Sequence, residues 1–369
     1  YDAKAFRKIF PKKKINYEKE FHRLLHTFEY SKHIRDDSKY IDIDKIRGYD
    51  TIALRCHTGV GKTYTTAKLL KESNDKVFII TSLQTTSSEM VKAFVNAGYK
   101  RSEVGNYLDK ELDVNKKVNI CSLNSLPKHY KVVNELIKEG VNVFIDEFNS
   151  VTRYILSETL KDRNSAYRLM TELMMKAKKL IVSDAHLLDS CLCQVTKVRD
   201  MNNSIHYCNL RKNREGVDMI IHNYRDAEKV VLAHIEDYKE PTVICSDTRA
   251  VASKVSQILR DRGEENVKLF TRNDGNVKEL INCDENFAEH YVVYSPKITF
   301  AMDLNIPYKK VFAIFMGKTL DAHSMIQQAT RARNYESIEI AMPFYDSHVE
   351  ELTLEEHKAN EEANLKDHL

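Results

Sequence analysis

Apolar residues along this chain fall into two successive series of short β-prone runs, each run separated from the next by a segment with helical spacing. The first series comprises Thr51-Ile52-Ala53-Leu54, Val77-Phe78-Ile79-Ile80, Val118-Asn119-Ile120-Cys121, Val141-Asn142-Val143-Phe144-Ile145 and Leu180-Ile181-Val182. The second comprises Thr242-Val243-Ile244-Cys245, Val267-Lys268-Leu269-Phe270, Tyr291-Val292-Val293-Tyr294, Val311-Phe312-Ala313-Ile314-Phe315 and Ile338-Glu339-Ile340. Near-continuous apolar strands alternating with amphipathic segments specify a parallel sheet covered on both faces. Two such series predict two α/β domains in tandem. Their joint is expected near residues 211 to 217, where Arg211-Lys212-Asn213-Arg214-Glu215-Gly216 is polar and carries a glycine. Residues 1 to about 47 read as helical and polar, with Phe21, Leu24, Leu25 and Phe28 forming a short apolar stripe suited to packing. The expected organisation is a helical N-terminal extension over 1–47, domains over 48–212 and 213–349, and an acidic helix or tail over 350–369.

Composition narrows the class without naming a partner. At 369 residues the chain exceeds what one hydrophobic core usually supports, and 42% hydrophobic with 30% charged residues describes a soluble globular protein. No run of eighteen apolar residues exists and the start, Tyr1-Asp2-Ala3-Lys4, has no secretory apolar region, so neither a membrane span nor secretion is expected. A first residue other than Met is expected of a fragment of a longer polypeptide. Lys and Arg total 57 against 54 acids, so net charge announces no nucleic-acid binder. The charges are uneven, with six bases between Lys4 and Lys14 and seven acids against two lysines from Glu350 onward, which solvated termini explain. Seven cysteines, an odd number, argue for reduced thiols and an intracellular compartment. Cys191-Leu192-Cys193 with His206 and Cys208 fits no standard zinc spacing.

In parallel sheets ligands gather beyond the carboxyl ends of the strands, so the residues after each apolar run matter most. After the first run comes Arg55-Cys56-His57-Thr58-Gly59-Val60-Gly61-Lys62-Thr63, which opens a helix predicted over Thr63 to Lys71 with Tyr64, Ala67 and Leu70 at helical spacing. Gly59, Val60 and Gly61 let successive backbone N–H groups curl round a phosphate at the positive end of that helix. Lys62 would then reach the β/γ-phosphates and Thr63 would hold Mg²⁺, the alternative being an ordinary glycine turn. Cys56 stands where the full pattern asks for Gly or Ala. After Val141 to Ile145 comes Asp146-Glu147-Phe148-Asn149: Asp146 is the candidate Mg²⁺ ligand and Glu147 the candidate for orienting an attacking water, the alternative being a helix-capping acid pair. Ser183-Asp184-Ala185-His186 follows Leu180 to Val182 and offers small polar groups that sense the γ-phosphate through Asp146, or simply cap a helix. Far downstream, Gln327-Gln328-Ala329-Thr330-Arg331-Ala332-Arg333 lies on a helix predicted from about Ala322. An arginine delivered to a transferring phosphoryl group is worth about 10³ to 10⁵ in rate, and the bland alternative is a basic helix end complementing its dipole.

The order of these motifs resembles a superfamily 2 helicase. More narrowly, Arg55-x-x-x-Gly-x-Gly-Lys-Thr, Cys121-Ser122-Leu123-Asn124-Ser125-Leu126 and Gln327 to Arg333 look like the herpesvirus origin-binding-protein helicases and related modules of large cytoplasmic DNA viruses. The resemblance covers Arg55 to Asn334. It implies two tandem RecA-like domains that bind ATP with Mg²⁺ between them, with Gln327, Arg331 and Arg333 completing the catalytic set beside Glu147. It further implies backbone contacts to nucleic acid from Thr81, Ser82, Ser122 and Asn124 in the first domain, and from Ser246, Asp247, Thr248, Arg249, Thr271 and Arg272 in the second. Ser295-Pro296-Lys297-Ile298-Thr299-Phe300-Ala301-Met302-Asp303 matches the family's fifth motif, with Thr299 on the backbone and Asp303 near the ribose. Ala301 and Thr330 stand where the family prefers Gly, and Arg333 comes one place early. The family's adenine-reading glutamine motif is not evident, leaving Tyr49 as an aromatic candidate for the base.

The activity implied is an ATP-driven helicase that moves 3′ to 5′ on single-stranded or forked DNA in viral replication, with other replication proteins as partners and the host cytoplasm as its place. A duplex translocase that does not separate strands, and a non-catalytic nucleic-acid-binding scaffold, are the competing classes.

Overall fold

The computed structural model describes residues 30–342, apart from 58, 83, 156, 158–159, 186, 212–215, 224–239, 272, 276–282, 289–290, 297–303, 318–319 and 321. The chain divides into two compact units between Glu215 and Gly216.

In the first unit, eight strands form one sheet: β1 Lys32–Asp36, β2 Thr51–Cys56, β3 Val77–Thr81, β4 Val104–Asn106, β5 Val118–Ser122, β6 Asn142–Asp146, β7 Leu180–Asp184 and β8 Ser204–Asn209. Their order is β1-β8-β2-β7-β6-β3-β5-β4, and all the pairings are parallel. The connecting helices are α1 Lys62–Glu72, α2 Gln84–Asn96, α3 Tyr130–Glu139, α4 Phe148–Tyr154, α5 Arg163–Lys176 and α6 Asp189–Val198. Alternate residues of each strand feed two cores. Ile52, Leu54, Ile79, Phe144 and Ile181 pack with Ala67 and Leu70 of α1 and Met90 and Phe94 of α2. Phe78, Ile80, Val143, Ile145 and Val182 pack with Val133, Leu136, Leu169, Leu173 and Leu192 from α3, α5 and α6. Each such buried side chain contributes roughly 1.5–3 kcal/mol, which is why these apolar runs dictate the sheet.

The helical reading of residues 1–47 needs correction in its described part. Lys32–Asp36 is a strand, paired in register with Ser204–Asn209, and only Ile43–Lys45 makes a short helical turn. Here Ile34 and Asp36 face inward while Lys32, His33 and Arg35 stay exposed, the two-residue period of an edge strand. The stripe from Phe21 to Phe28 and the acidic stretch 350–369 lie outside the described residues.

The second unit holds β9 Asp218–Asn223, β10 Val243–Ser246, β11 Val267–Phe270, β12 Tyr291–Tyr294, β13 Leu304–Ile314 and β14 Ala332–Met342, in the parallel order β11-β12-β10-β13-β14-β9. Its described helices are α7 Arg249–Asp261, α8 Cys283–Phe287 and α9 Ala322–Ala329. Apolar cores again lie on both faces, one built on Val243, Val292, Val311 and Ile338, the other on Ile244, Val293, Phe312 and Ile314 with Ala252, Val255 and Leu259 of α7. One buried charge interrupts the second face: the Glu339 carboxylate accepts from Lys310 Nζ at 2.7 Å and pairs with His222 Nε2 at 3.1 Å across three strands.

Candidate active site

Strand β2 is buried along almost its whole length and stops at Cys56, so the chain leaves the sheet at its carboxyl edge. Gly59 and Gly61 both take the left-handed backbone, with φ of +87° and +79°, which a side chain would strain. Gly61 is the N-cap of α1 and provides no side-chain cap, leaving the first-turn N–H groups to an anion. Val60 is buried in the core and its carbonyl accepts from Ile41 N at 3.3 Å, anchoring the loop from behind. Lys62 is buried, and its Nζ donates to the Cys56 carbonyl at 2.9 Å, curling back over the loop it is expected to serve.

Thr63, at the start of α1, donates from Oγ1 to Asp146 Oδ2 at 3.1 Å. The other Asp146 oxygen accepts from the Glu147 amide at 3.1 Å and from the Ser183 hydroxyl. Thus the start of α1 and the tips of β6 and β7 bring Thr63, Asp146 and Ser183 together although the first and last are 120 positions apart in sequence. Burial, and then the neighbouring Glu147 charge, push the Asp146 carboxyl above its ordinary range, while Lys62 and the Ser183 hydrogen bond oppose the shift. Glu147 is itself buried and holds a left-handed backbone, φ 50° and ψ 52°, as N-cap of α4. An L-residue there costs roughly 1–2 kcal/mol, strain placed at the residue assigned to the water. The oxygens of Thr63 and Asp146 form a hard donor set that suits Mg²⁺ and not zinc. Among the described residues no cluster of three His, Cys, Asp or Glu groups could hold a metal, and all seven cysteines are free thiols.

Behind this pair lies a connection that sequence reasoning missed. Asn149, the second residue of α4, donates its backbone N–H to Asp184 Oδ2 at 2.9 Å, and its side-chain Oδ1 accepts from Leu188 N at 3.1 Å. The start of α4, next to the Asp146-Glu147 turn, is thereby tied to Asp184 and to Leu188 beyond the Ser183-Asp184-Ala185 segment. Its position two residues past the acid pair was the available signal. His186 lies outside the described residues.

The positions expected to meet nucleic acid divide by burial. Thr81 is buried and shares a 2.7 Å hydrogen bond with Ser87, and Ser122 is buried with its hydroxyl donating to Ser125 at 3.1 Å, so neither side chain faces solvent. Asn124 is half-buried. The hydroxyls of Ser82 and Thr86 are buried beside the N-terminus of α2 without a hydrogen-bond partner among the described residues. In the second unit, Ser246 Oγ accepts from Thr248 N, and Asp247 accepts from Met316 N at 2.7 Å. Thr248 caps α7, which leaves Arg249 exposed at its first turn. Thr271 is buried and bonded to Asp274. Arg272, Thr299 and Asp303 lie outside the described residues.

The arginine motif is not helical throughout, as had been expected. Helix α9 stops at Ala329; Arg331 follows in the turn, and Arg333 is the second residue of β14. Parallel pairing of Ala332 with Leu304, supported by Leu304 N donating to the Arg331 carbonyl at 3.0 Å, pulls the chain into the sheet. Gln327 and Arg331 are buried and Arg333 is half-buried. Gln328 ties α9 to β10, donating to the Ser246 carbonyl at 2.9 Å.

Tyr49 is displaced from its expected role, because it precedes β2 and so sits at the opposite end of the strand from the phosphate loop, half-buried against the core. Tyr40 takes the place beside the loop: a Cβ on Gly61 would lie 3.7 Å from its ring. No pattern in the sequence marks it.

No protein-family model matches the sequence, and no curated protein matches it. Among solved structures the chain is similar to Mss116p bound to ssRNA and AMP-PNP, with a TM-score of 0.60 and 14% identity over 85% of this chain and 77% of that one. It is also similar to the Escherichia coli DEAH/RHA helicase HrpB, at 0.58 and 14% over 82% of this chain and 42% of the other. A third likeness is to the DUF1998 helicase MrfA bound to DNA, at 0.54 and 14% over 82% and 48%. Identities this low speak for fold, and the narrower viral resemblance rests on the sequence motifs alone. The chain has two tandem RecA-like domains, the α/β architecture of these superfamily 2 helicases.

Proposed function

We propose that this protein is a nucleic-acid-stimulated ATPase of the helicase type, moving on single-stranded or forked DNA. The observation that carries the reading is the convergence of Lys62, Thr63, Asp146, Glu147 and Ser183 at one edge of the first sheet, with Thr63 and Asp146 joined at 3.1 Å. Lys62 exchanges the Cys56 carbonyl for phosphate oxygens, and the uncapped first turn of α1 receives the β-phosphate. Thr63 and Asp146 are the residues that would hold Mg²⁺, which supplies charge neutralisation on the β/γ-phosphates. Glu147 accepts a proton from the water it orients. Gln327, Arg331 and Arg333 act on the developing phosphoryl charge, a role taken from the sequence resemblance, as are 3′-to-5′ polarity, a part in viral DNA replication beside other replication proteins, and the host cytoplasm. Asn149 couples the acid pair to the Ser183 segment, so that loss of phosphate alters both.

Hydrolysis of ATP titrated in parallel with single-stranded DNA, duplex DNA and RNA tests the proposal. Stimulation by single-stranded DNA is expected, and Lys62→Ala and Glu147→Gln should each abolish it in a folded protein. Turnover at the parent rate in either variant would refute the site.

A further inference from the structure

Helix α9 must stop at one place for Arg331 to point one way. An α-helix advances about 1.5 Å and turns about 100° per residue, so a stop displaced by a single position would swing the guanidinium to a different face. Helices commonly end on a glycine in left-handed backbone, whereas here Thr330 follows Ala329. The stop is made by groups that take up the last carbonyls of the helix. Thr330 N donates to the Ile326 carbonyl at 3.0 Å, Thr330 Oγ1 to that of Gln327 at 3.4 Å, and Arg331 N to that of Gln328 at 3.4 Å.

The Gln328 carbonyl has a second and shorter donor from outside the helix. Tyr294, the last residue of β12, is wholly buried and donates its hydroxyl to that carbonyl at 2.6 Å. The Gln328 side chain in turn donates to the Ser246 carbonyl at 2.9 Å, at the tip of β10, the strand that pairs with β12. The ring of Tyr294 belongs to the apolar core that also takes in Ala329 and Ala332, the residues on either side of the Thr330-Arg331 turn. Beyond the turn, Leu304 N donates to the Arg331 carbonyl at 3.0 Å. The arginine is therefore fixed from before by β12 and from after by β13. Burial, and then the Cys245 thiol, hold the Tyr294 hydroxyl well above its ordinary range while the Arg331 charge pulls it down, so hydroxyl and guanidinium lie near one another.

We propose that Tyr294 is a positioning residue for Arg331: its hydroxyl fixes where α9 ends, and so where the guanidinium is presented to the transferring phosphoryl group. The inference rests on the ATPase reading given above, in which Arg331 answers the developing charge. Tyr294 acts only through the Gln328 carbonyl, so its contribution exists only while Arg331 is present.

DNA-stimulated hydrolysis and equilibrium ATP binding, measured on the whole chain for Tyr294→Phe, Arg331→Ala, the double variant and Tyr308→Phe, test this. Tyr294→Phe keeps the ring in the core and removes the hydroxyl alone. It should lower kcat roughly 10- to 100-fold, the penalty of a catalytic group misplaced by about 1 Å, and leave ATP affinity within about two-fold of the parent. Arg331→Ala should lower kcat by about 10³ or more. The double variant should be no slower than Arg331→Ala, whereas independent effects would multiply. Tyr308→Phe takes from the same core a buried hydroxyl that has no hydrogen-bond partner among the described residues, and it should turn over at the parent rate. Hydrogen exchange at the Thr330 and Arg331 amides should quicken in Tyr294→Phe and stay as in the parent in Tyr308→Phe. Parent-like kcat or unaltered exchange in Tyr294→Phe, an equal loss of kcat in Tyr308→Phe, or multiplying losses in the double variant overturns the inference. If Arg331→Ala is slow and Tyr294→Phe is not, the inference alone fails. Arg331→Ala at the parent rate, or a parent chain without turnover, defeats the reading beneath it as well.

Discussion

Acid should destabilise the first unit through one histidine. His206, on β8, is 1% exposed, with the rings of Tyr30 and His33 each 5.3 Å away, Cys208 Sγ 3.4 Å from Nε2, and Nδ1 without a partner among the described residues. Burial, then the nearby His33 and Arg55, hold its pKa down to about 3 from an ordinary 6.5. In the unfolded chain the same imidazole takes its proton near pH 6.5, so between pH 6.5 and 3 the unfolded state binds more protons and stability falls as pH falls. At about 1.36 kcal/mol per unit, descent to pH 4.5 should remove roughly 3 kcal/mol. His206→Phe keeps a ring against Tyr30 and His33 and cannot titrate. Urea unfolding at pH 8 and pH 4.5, read by hydrogen exchange at the β2 and β8 amides so that the first unit is followed by itself, compares the two proteins. The variant should gain roughly 3 kcal/mol on the parent at the lower pH. Parallel losses in both would refute the argument that His206 is folded in its neutral form.

Other outcomes follow from contacts already described. Lys310→Met removes one cation from the buried Glu339 and should cost the second unit about 1–3 kcal/mol in urea unfolding; loss of a buried partner usually costs more, but Lys310 is 26% exposed and partly screened. No change in midpoint would mean that His222 suffices. Asn149→Ala leaves the Leu188 N–H without its acceptor, so exchange at residues 187–189 should quicken and DNA-stimulated turnover should drop; protected amides with lowered turnover would place the defect elsewhere. Binding to single-stranded DNA should weaken with salt at a log–log slope of about 0.7 per phosphate contacted, and a flat response would rule out backbone tracking.

The central strands were legible because they are buried on both faces and therefore largely apolar: β3, β5, β6, β7, β10 and β12 lie where the apolar runs lie, and the edge strand β11 was legible from Val267, Leu269 and Phe270. Strands whose partners supply the burial were not legible. β1 is an edge with Lys32, His33 and Arg35 exposed, and β9 is an edge on which Met219, Ile220 and Ile221 remain exposed. β8 is wholly buried, yet Ser204, His206 and Cys208 alternate with Ile205 and Tyr207 and break the apolar run, so no strand was expected there. Strands β13 and β14 extend well ahead of their apolar ends because they pair with each other over polar residues from Leu304 to Lys310. That Lys62, Thr63, Asp146 and Ser183 come together was readable because the carboxyl ends of neighbouring parallel strands and the helix starts that follow them share one edge of the sheet. The places of Tyr40 beside Gly61 and of Asn149 beside Asp184 were not, since each contact joins residues distant in sequence or uses a backbone amide.

The pairing of β2 also has a consequence for how the protein is made. Its two hydrogen-bonded neighbours, β7 and β8, begin roughly 130 and 150 residues after it. At 5–20 residues per second, the phosphate loop leaves the ribosome roughly 7–30 s before its flanks exist. During that interval Ile52 and Leu54 have no neighbouring strand to pair with, and their apolar side chains stay open to other contacts. Fragments that stop short of Asn209 should collect in inclusion bodies, and the shortest piece of the first unit that folds must run past Leu210.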